Sequence, residues 1–406
     1  MGAMTKKRRK KKEQSEYFFD YSLLFIVIFL LGFGLVMIYS ASSYTAFQEF
    51  GDAAHYLKTQ LTAIIIGLVL MIIVANIPYH FWERFYLLGY IVSMAMIPLV
   101  KTPLGVKSHG ATRWIKIPGV GMNLQPAEVA KVGMILFLAV MVCKMGRSVR
   151  TMKGFLVMVA FPLPVVLEVY LLTQNLSSAI IIMGISVLMV FVASPDYKKF
   201  VVMGLGVLAL AALVVFLAVS SMSAPEGDSQ TAVTASADEG GSGNFRFGRI
   251  VAWLDPESDA QDKGFQTLQG LYAIGSGGVW GNGLGQSIQK LSFIPEAQND
   301  MIFSIICEEL GLFGAVAIIV MFIMVLWRMM VIANNATDLF GAMLVVGVMG
   351  HIAIQAILNI AVVTNTIPNT GISLPFISYG GSSVMFLLIE IGLVLSVARR
   401  IQLKEL

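Results

Sequence analysis

An acid stands at the mouth of an apolar run. Asp300 ends the polar, irregular stretch Phe293-Ile294-Pro295-Glu296-Ala297-Gln298-Asn299-Asp300, and the run begins at Met301. Two roles suit a carboxylate there. As a helix N-cap it would accept hydrogen bonds from the first free N–H groups. As a general base at a lipid–water boundary it would gain from partial loss of water, which raises a carboxyl pKa toward a useful range, while nearby positive charge opposes the rise. Both can hold together. Asparagine separates them, because it caps about as well but takes no proton. Glu296, just after Pro295, is the rival base.

Cations recur at a spacing of three. Arg113 and Lys116 form one such pair, Arg246 and Arg249 another. If locally helical, each pair shares a face. The charges then either sit in water or among lipid headgroups, or they cradle an anionic headgroup such as a pyrophosphate, which Arg holds in a bidentate fork. Lys107, Lys263 and Lys290 could add to that cradle. Glu128 and Lys131 are also three apart, at the start of another apolar run after Gln125-Pro126. An ionisable group inside a membrane span costs about 2.5–3.5 kcal/mol on insertion scales. Such groups therefore pair with one another or line a cavity that touches substrate. Glu308, Glu309, His351, Gln355, Asn359 and Glu390 pose the same choice. Cys143 and Cys307 fall in apolar runs and read as packing residues, with no disulfide framework. The four histidines are scattered and suggest no metal cluster. The glycine-rich stretch 264–290 lacks a Gly-Lys-Ser/Thr triplet, so close packing explains it better than a nucleotide loop.

The elements that must hold these groups are membrane helices. Hydrophobic residues make up 57% of the 406 and charged residues 13%, about half the charge of a soluble domain. Ten apolar runs stand out: Asp20–Ala41, Tyr56–Ala75, Phe85–Val100, Ala127–Val142, Phe155–Leu172, Leu176–Ala193, Phe200–Ser221, Met301–Trp327, Leu339–Val363 and Ser383–Val397. Crossing a bilayer takes roughly 20 helical residues, and lipid forces each run to satisfy its own backbone as a helix. The first run is too long for a cleaved signal and has no small-residue cleavage site.

Ten transmembrane helices in an all-α integral membrane unit are therefore expected. Residues 1–19 form a basic tail, 20–221 helices one to seven, 222–300 a large loop, 301–398 helices eight to ten, and 399–406 a second tail. Lys and Arg concentrate in the tails and alternate loops, which places both termini in the cytoplasm and the large loop outside. The tail basicity beside a first span is an orientation and anionic-lipid signal, and no nucleic-acid partner is expected. Within the loop, 223–244 is polar and small-residue-rich and should be flexible. Phe247, Ile250, Val251 and Leu254 recur at helical spacing and suggest a surface helix. The stretch 264–290 should dip back toward the membrane as close-packed irregular segments.

Eight segments, in this order, carry a family resemblance. They are Gly110-Ala111-Thr112-Arg113-Trp114-Ile115, Gln125-Pro126-Ala127-Glu128, Leu254-Asp255-Pro256, Gly264-Phe265-Gln266, Gly283-Leu284-Gly285-Gln286-Ser287, Pro295-Glu296-Ala297-Gln298-Asn299-Asp300, Glu308-Glu309-Leu310-Gly311 and Leu374-Pro375-Phe376-Ile377-Ser378-Tyr379-Gly380-Gly381-Ser382-Ser383. On them the chain resembles the SEDS family of shape, elongation, division and sporulation proteins, with the pattern leaning toward the FtsW and sporulation branch. The resemblance implies a GT-C-like glycosyltransferase of the bacterial plasma membrane with an extracytoplasmic active site. It would polymerise lipid II into β-1,4 glycan strands and release undecaprenyl pyrophosphate. Asp300 matches the family's essential Asp. Arg113, Lys116, Gln125, Glu128, Lys131, Arg246, Arg249, Lys263, Glu296, Ser378, Tyr379 and Ser382 are the expected substrate-binding residues. A divalent cation, Mg or Mn, could assist. The implied partners are a class B penicillin-binding protein transpeptidase and other cell-wall synthesis proteins.

The chain departs from the family pattern in four places. Gln174-Asn175 stands where Pro-Asp is frequent, and Asn365 and Asn369 stand where Gly and a small apolar residue or Thr are common. The insert 223–244 is longer than expected. Two rival functions remain: a lipid II flippase, which needs coupling charges near the midplane and a path between leaflets, and a non-catalytic scaffold of the synthesis complex.

Overall fold

The computed structural model describes residues 20–108, 111–116, 123–194, 196–222, 253–257, 264–291 and 293–401. The expected surface helix around Phe247 and the flexible insert 223–244 lie outside these residues.

Every apolar run is helical. The helices are α1 (Tyr21–Phe50), α2 (His55–Asn76), the short α3 (Tyr79–Glu83), α4 (Tyr86–Met96), α5 (Pro126–Met145), α6 (Met152–Ala160), α7 (Leu163–Leu172), α8 (Leu176–Ala193), α9 (Tyr197–Met222), α10 (Phe265–Gly277), α11 (Ile302–Asn334), α12 (Leu339–Val363) and α13 (Gly381–Ala398). Among the described residues, eight helical stretches are long and apolar enough to cross a membrane: α1, α2, α5, α6 with α7, α8, α11, α12 and α13. The third expected span, α4 with its following turn to Lys101, is shorter. The fifth is interrupted near Pro162, since proline has no N–H to continue the ladder.

One part of the all-α expectation needs correcting. Between α4 and α5 lies a three-stranded antiparallel sheet, β1 (Gly105–Ser108), β2 (Ala111–Lys116) and β3 (Asn123–Leu124), in the order β1-β2-β3. Arg113 and Lys116 are thus strand residues, and positions three apart on a strand face opposite sides. The shared helical face expected for this pair does not exist.

Helices α13, α12 and α5 form the centre. Burial reaches 78% of the apolar window of α13, against 28% for α6 with α7, so the latter pair is peripheral. Small residues let the central helices approach closely. A Cβ on Gly392 of α13 would lie 2.7 Å from the Met71 carbonyl oxygen of α2, and one on Gly67 of α2 would lie 2.6 Å from Leu388 Cδ1. Large apolar side chains such as Phe25, Ile73, Leu171, Phe313 and Trp327 point outward from the peripheral faces, as lipid contact requires.

At the end of the bundle where α1 starts, polar ties join the helices. Asp20 accepts from the Leu23 N–H and pairs with Arg328 of α11 at 2.8 Å. Asp338 caps α12 through the Gly341 N–H at 2.7 Å and also accepts from the Tyr79 hydroxyl at 2.6 Å. Burial pushes the Asp338 carboxyl up. The Gly341 N–H, the Tyr79 hydroxyl and His80 outweigh that and hold it below the usual carboxylate range. A lowered folded pKa means that its stabilisation is present at neutral pH and lost as pH falls through the folded value. Asp338→Ala is expected to cost about 1 kcal/mol through the lost cap. Thermal unfolding of the purified protein at pH 7 should show a lower midpoint, and the gap to the parent should close on acidification.

Helix α11 is broken once. Gly311 sits at φ 67, ψ −164, a region open essentially to glycine alone. The break lets the irregular segment after α10 bond to it. Asn282 and Gly283 N–H groups donate to the Glu308 and Glu309 carbonyls at 2.9 Å each, and the Leu312 N–H donates to Gly278 O at 2.9 Å. The expected irregular backbone over 264–290 is found only after α10, which is regular helix; the remainder is irregular and is satisfied by the break. Gly311→Ala would place a Cβ 2.4 Å from the Gly281 nitrogen. It is expected to lower stability by about 1–3 kcal/mol from backbone strain alone, read as a lower thermal midpoint than that of a Gly32→Ala control, whose Cβ meets nothing within 4 Å.

Candidate active site

Asp300 is not a helix cap. Helix α11 starts at Ile302, its N-cap is Met301, and no side chain caps it. The carboxylate instead accepts from Gln266 Nε2, on the first turn of α10, at 3.3 Å. It is half-buried. The same Gln266 nitrogen lies 3.3 Å from Pro295 O. Gln266 Oε1 accepts from Asn369 Nδ2 at 2.9 Å, and Asn369 Oδ1 accepts from the Gly371 N–H at 3.1 Å. The loop 369–371 lies against the acid, since a Cβ on Gly371 would be 3.6 Å from Asp300 Oδ2.

Helix α12 supports this arrangement from below. His351, Gln355 and Asn359 recur every four residues, which aligns them on one face. Asn359 Nδ2 donates to Asp300 O at 2.8 Å and to Ile372 O at 2.6 Å. Gln355 Nε2 donates to Ser373 O at 3.0 Å. The Tyr379 N–H closes the other side on Gln298 O at 2.9 Å. The loop before Asp300 and the loop before α13 are thus joined through one helix.

A buried polar chain continues inward. Lys131 and Glu128 pair at 2.8 Å with side chains 2% and 5% exposed. Lys131 Nζ lies 3.5 Å from Gln355 Oε1, which is 2.9 Å from His351 Nε2. His351 Nδ1 is 2.7 Å from Glu390 Oε2. A second cluster holds the segment after α10. Glu309 accepts from Lys290 Nζ at 2.9 Å and from Ser40 Oγ at 2.6 Å. Glu308 accepts from the Ser287 hydroxyl and from the Ile288 N–H at 2.9 Å. Each of these ionisable groups has a hydrogen-bond or ion-pair partner inside the protein. Lys290 is engaged inside the protein and so leaves the expected headgroup cradle.

The other expected site residues are dispersed. Glu296 is exposed, at φ 50, and accepts from Asn299 Nδ2 at 2.6 Å. Ser378 Oγ closes its own turn by accepting from the Leu374 N–H at 2.7 Å. The Tyr379 ring packs edge-on to Tyr56, with centroids 5.0 Å apart, and burial raises its hydroxyl pKa. Ser382 is buried in the first turn of α13. Gln125 precedes α5 without capping it through its side chain. Arg113 is half-buried and Lys116 exposed. Arg246, Arg249 and Lys263 lie outside the described residues. Gln266 and Asn369 were missed as site residues. Gln266 ends the family-like segment Gly264-Phe265-Gln266 and Asn369 departs from the family pattern, but only the fold brings them together beside Asp300.

Two departures from the family pattern gain a physical account. Asn365 has φ 54, and asparagine tolerates that left-handed backbone better than most residues with a side chain. Its carbonyl also accepts from Trp253 Nε1 at 3.0 Å. Asn175 caps α8 through the Ser178 N–H at 3.0 Å, a task that needs no charge.

Among the described residues no three His, Cys, Asp or Glu side chains converge as a metal site.

The family described as cell cycle protein, FtsW/RodA/SpoVE, matches residues 21–403. A probable peptidoglycan glycosyltransferase FtsW from Trichlorobacter lovleyi is 36% identical over 389 residues, covering 96% of this chain and 95% of the relative. Stage V sporulation protein E from Bacillus subtilis is 37% identical over 94% of this chain and 97% of its own. A solved chain described under structural coordination of polymerization and crosslinking by a peptidoglycan synthase complex superposes with TM-score 0.73 at 25% identity, over 95% of this chain and 99% of that one. The rod shape determining protein RodA of Thermus thermophilus gives TM-score 0.63 at 23% identity, over 95% and 98%, and shares the fold.

Proposed function

We infer that this chain, which belongs to the FtsW/RodA/SpoVE family of cell cycle proteins, is a peptidoglycan glycosyltransferase that polymerises lipid II with Asp300 as general base. Relatives named probable peptidoglycan glycosyltransferase FtsW, 36% and 34% identical over nearly their full length, support the activity. The observation that carries the assignment of the base is the Asp300 carboxylate itself. It is half-buried and held by a side-chain amide, and it does not cap the helix behind it.

In the proposed reaction Asp300 takes the proton from the 4-hydroxyl of the acceptor N-acetylglucosamine. That oxygen attacks the anomeric carbon of the donor N-acetylmuramic acid. The carbon–oxygen bond to the pyrophosphate breaks, and undecaprenyl pyrophosphate leaves with the electron pair. One displacement turns the α-linked donor into a β-1,4 link, so no covalent enzyme intermediate forms. Arg113 or Lys116, which face opposite sides of β2, with Arg246, Arg249 and Lys263 from the loop, would stabilise the leaving pyrophosphate. A divalent cation, Mg or Mn, would neutralise charge on the leaving pyrophosphate. Ten spans with both termini in the cytoplasm would put Asp300 and the large loop outside the plasma membrane, where lipid-linked substrate waits in the outer leaflet.

A class B penicillin-binding protein is the proposed partner. The solved complex that this fold matches is described as coordinating polymerization and crosslinking. The deciding experiment incubates the purified protein with labelled lipid II, with and without such a transpeptidase, and separates glycan polymer on a gel. Polymer supports the proposal. Lipid II movement across vesicles without any polymer would favour the flippase, and partner binding with neither would favour the scaffold.

A further inference from the structure

We propose that Gln266 is a positioning residue for the Asp300 carboxylate, braced by Asn369 and set over a backbone clamp made by Asn359. The inference rests on the general-base reading of Asp300 and extends it to the residues that fix the acid's orientation.

Two amides meet one acidic residue and a third braces the first of them, each from a separate element. Gln266 comes from α10, Asn359 from α12 and Asn369 from the loop before α13. Their roles differ by atom. Asn359 Nδ2 spans Asp300 O and Ile372 O at 2.8 and 2.6 Å, so it sets the backbone of the acid against the facing loop. Gln266 Nε2 meets Oδ1 at 3.3 Å, so it selects the rotation of the carboxylate plane. A glutamine amide can turn over and present its oxygen instead, which would repel the acid. Asn369 removes that alternative, because its Nδ2 donates to Gln266 Oε1 at 2.9 Å and only the oxygen can accept. Asn369 is itself aimed by the Gly371 N–H at 3.1 Å. The orientation of Oδ1 is thus set in two steps from a main-chain donor. An amide is suited to the task. It offers a neutral donor, whereas Lys or Arg would draw off the negative charge that a base needs.

The geometry also accounts for Asn369, where the family pattern commonly has Thr or a small apolar residue. Here that position supplies a side chain with both a donor and an acceptor, and each is used.

The test compares purified parent, Gln266→Leu, Asn359→Leu and Asp300→Asn, with labelled lipid II held at saturation and then varied. Leucine has the branched shape of asparagine, is one heavy atom shorter than glutamine and carries no polar atom, and folding is checked by thermal midpoint and by lipid II binding. Misplacing a reacting group by about 1 Å can cost 10²-fold in rate. The expected result for Gln266→Leu is therefore a kcat about 10²-fold lower, with KM unchanged and the single-turnover rate per lipid-bound molecule lowered equally. A purely structural role would reduce the number of binding-competent molecules and leave the rate per bound molecule at the parent value. Gln266→Asn, which keeps the amide on a shorter stem, should recover part of the lost rate. If Asn359→Leu unfolds the protein, Asn369→Ala tests the brace on Gln266 instead, with a smaller loss of kcat expected than for Gln266→Leu. A parent-like rate in Gln266→Leu beside an inactive Asp300→Asn overturns this inference and leaves the base assignment standing. Parent-like rates in both overturn the two together.

Discussion

Asp300→Asn is expected to abolish most glycan polymerisation, lowering kcat by about 10²–10⁴-fold, the usual contribution of a general base. Lipid II binding and the thermal midpoint should stay near the parent values. The expectation of unchanged stability comes from the structure. Helix α11 takes no cap from Asp300, and the Asn359 contact is made to the main-chain carbonyl, which the substitution keeps. Asparagine preserves the size of the side chain and an oxygen for Gln266, but it cannot accept a proton at working pH. The assay is polymer length and rate from labelled lipid II, with binding measured on the same preparation. A rate within a few-fold of the parent would remove Asp300 from the chemistry. Glu296→Gln is the matched comparison. Its carboxylate is exposed and bonded to Asn299 in its own turn, so a smaller loss is expected there.

The second large effect concerns stability. Lys131→Met should destabilise the protein by about 3–5 kcal/mol, because it leaves Glu128 buried without its partner. Both side chains are almost fully enclosed, and one oxygen of Glu128 already has no hydrogen-bond partner among the described residues. The double variant Glu128→Gln/Lys131→Met removes the uncompensated charge and should recover much of the loss, since apolar or neutral replacement of a whole buried pair is often tolerated. Thermal unfolding of the single and double variants measures this directly. If the double variant is no more stable than Lys131→Met, the cost lies in lost shape or in the Gln355 contact, not in the stranded charge. The double variant also separates fold from function. A stable protein that polymerises slowly would mean that the pair touches substrate as well as packing the bundle.

The apolar runs show how much of the fold the order of residues settles alone. Lipid offers no hydrogen bonds, so a run such as Leu339–Val363 has one workable backbone, and α12 occupies those same residues. The position of Asp300 was legible for a similar reason: a polar stretch ending at an apolar boundary is a local pattern. The Glu128–Lys131 pairing followed from the cost of charge in lipid together with a spacing of three.

Other features needed the folded molecule. The stretch 105–116 contains Thr112, Trp114 and Ile115, and its strands form as neighbouring segments pair with each other; that pairing, once made, reversed the expected relation of Arg113 and Lys116. Lys290 looked like a ligand for phosphate until Glu309, close in sequence but on another element, was seen to hold it. Gln266 and Asn369 are 103 positions apart, and neither carries a charge or a reactive atom that would single it out. Local preference and hydrophobicity act over a few residues and therefore appear in sequence. The direction in which a carboxylate points is decided by hydrogen-bond partners from distant segments, and those exist only once the helices have packed.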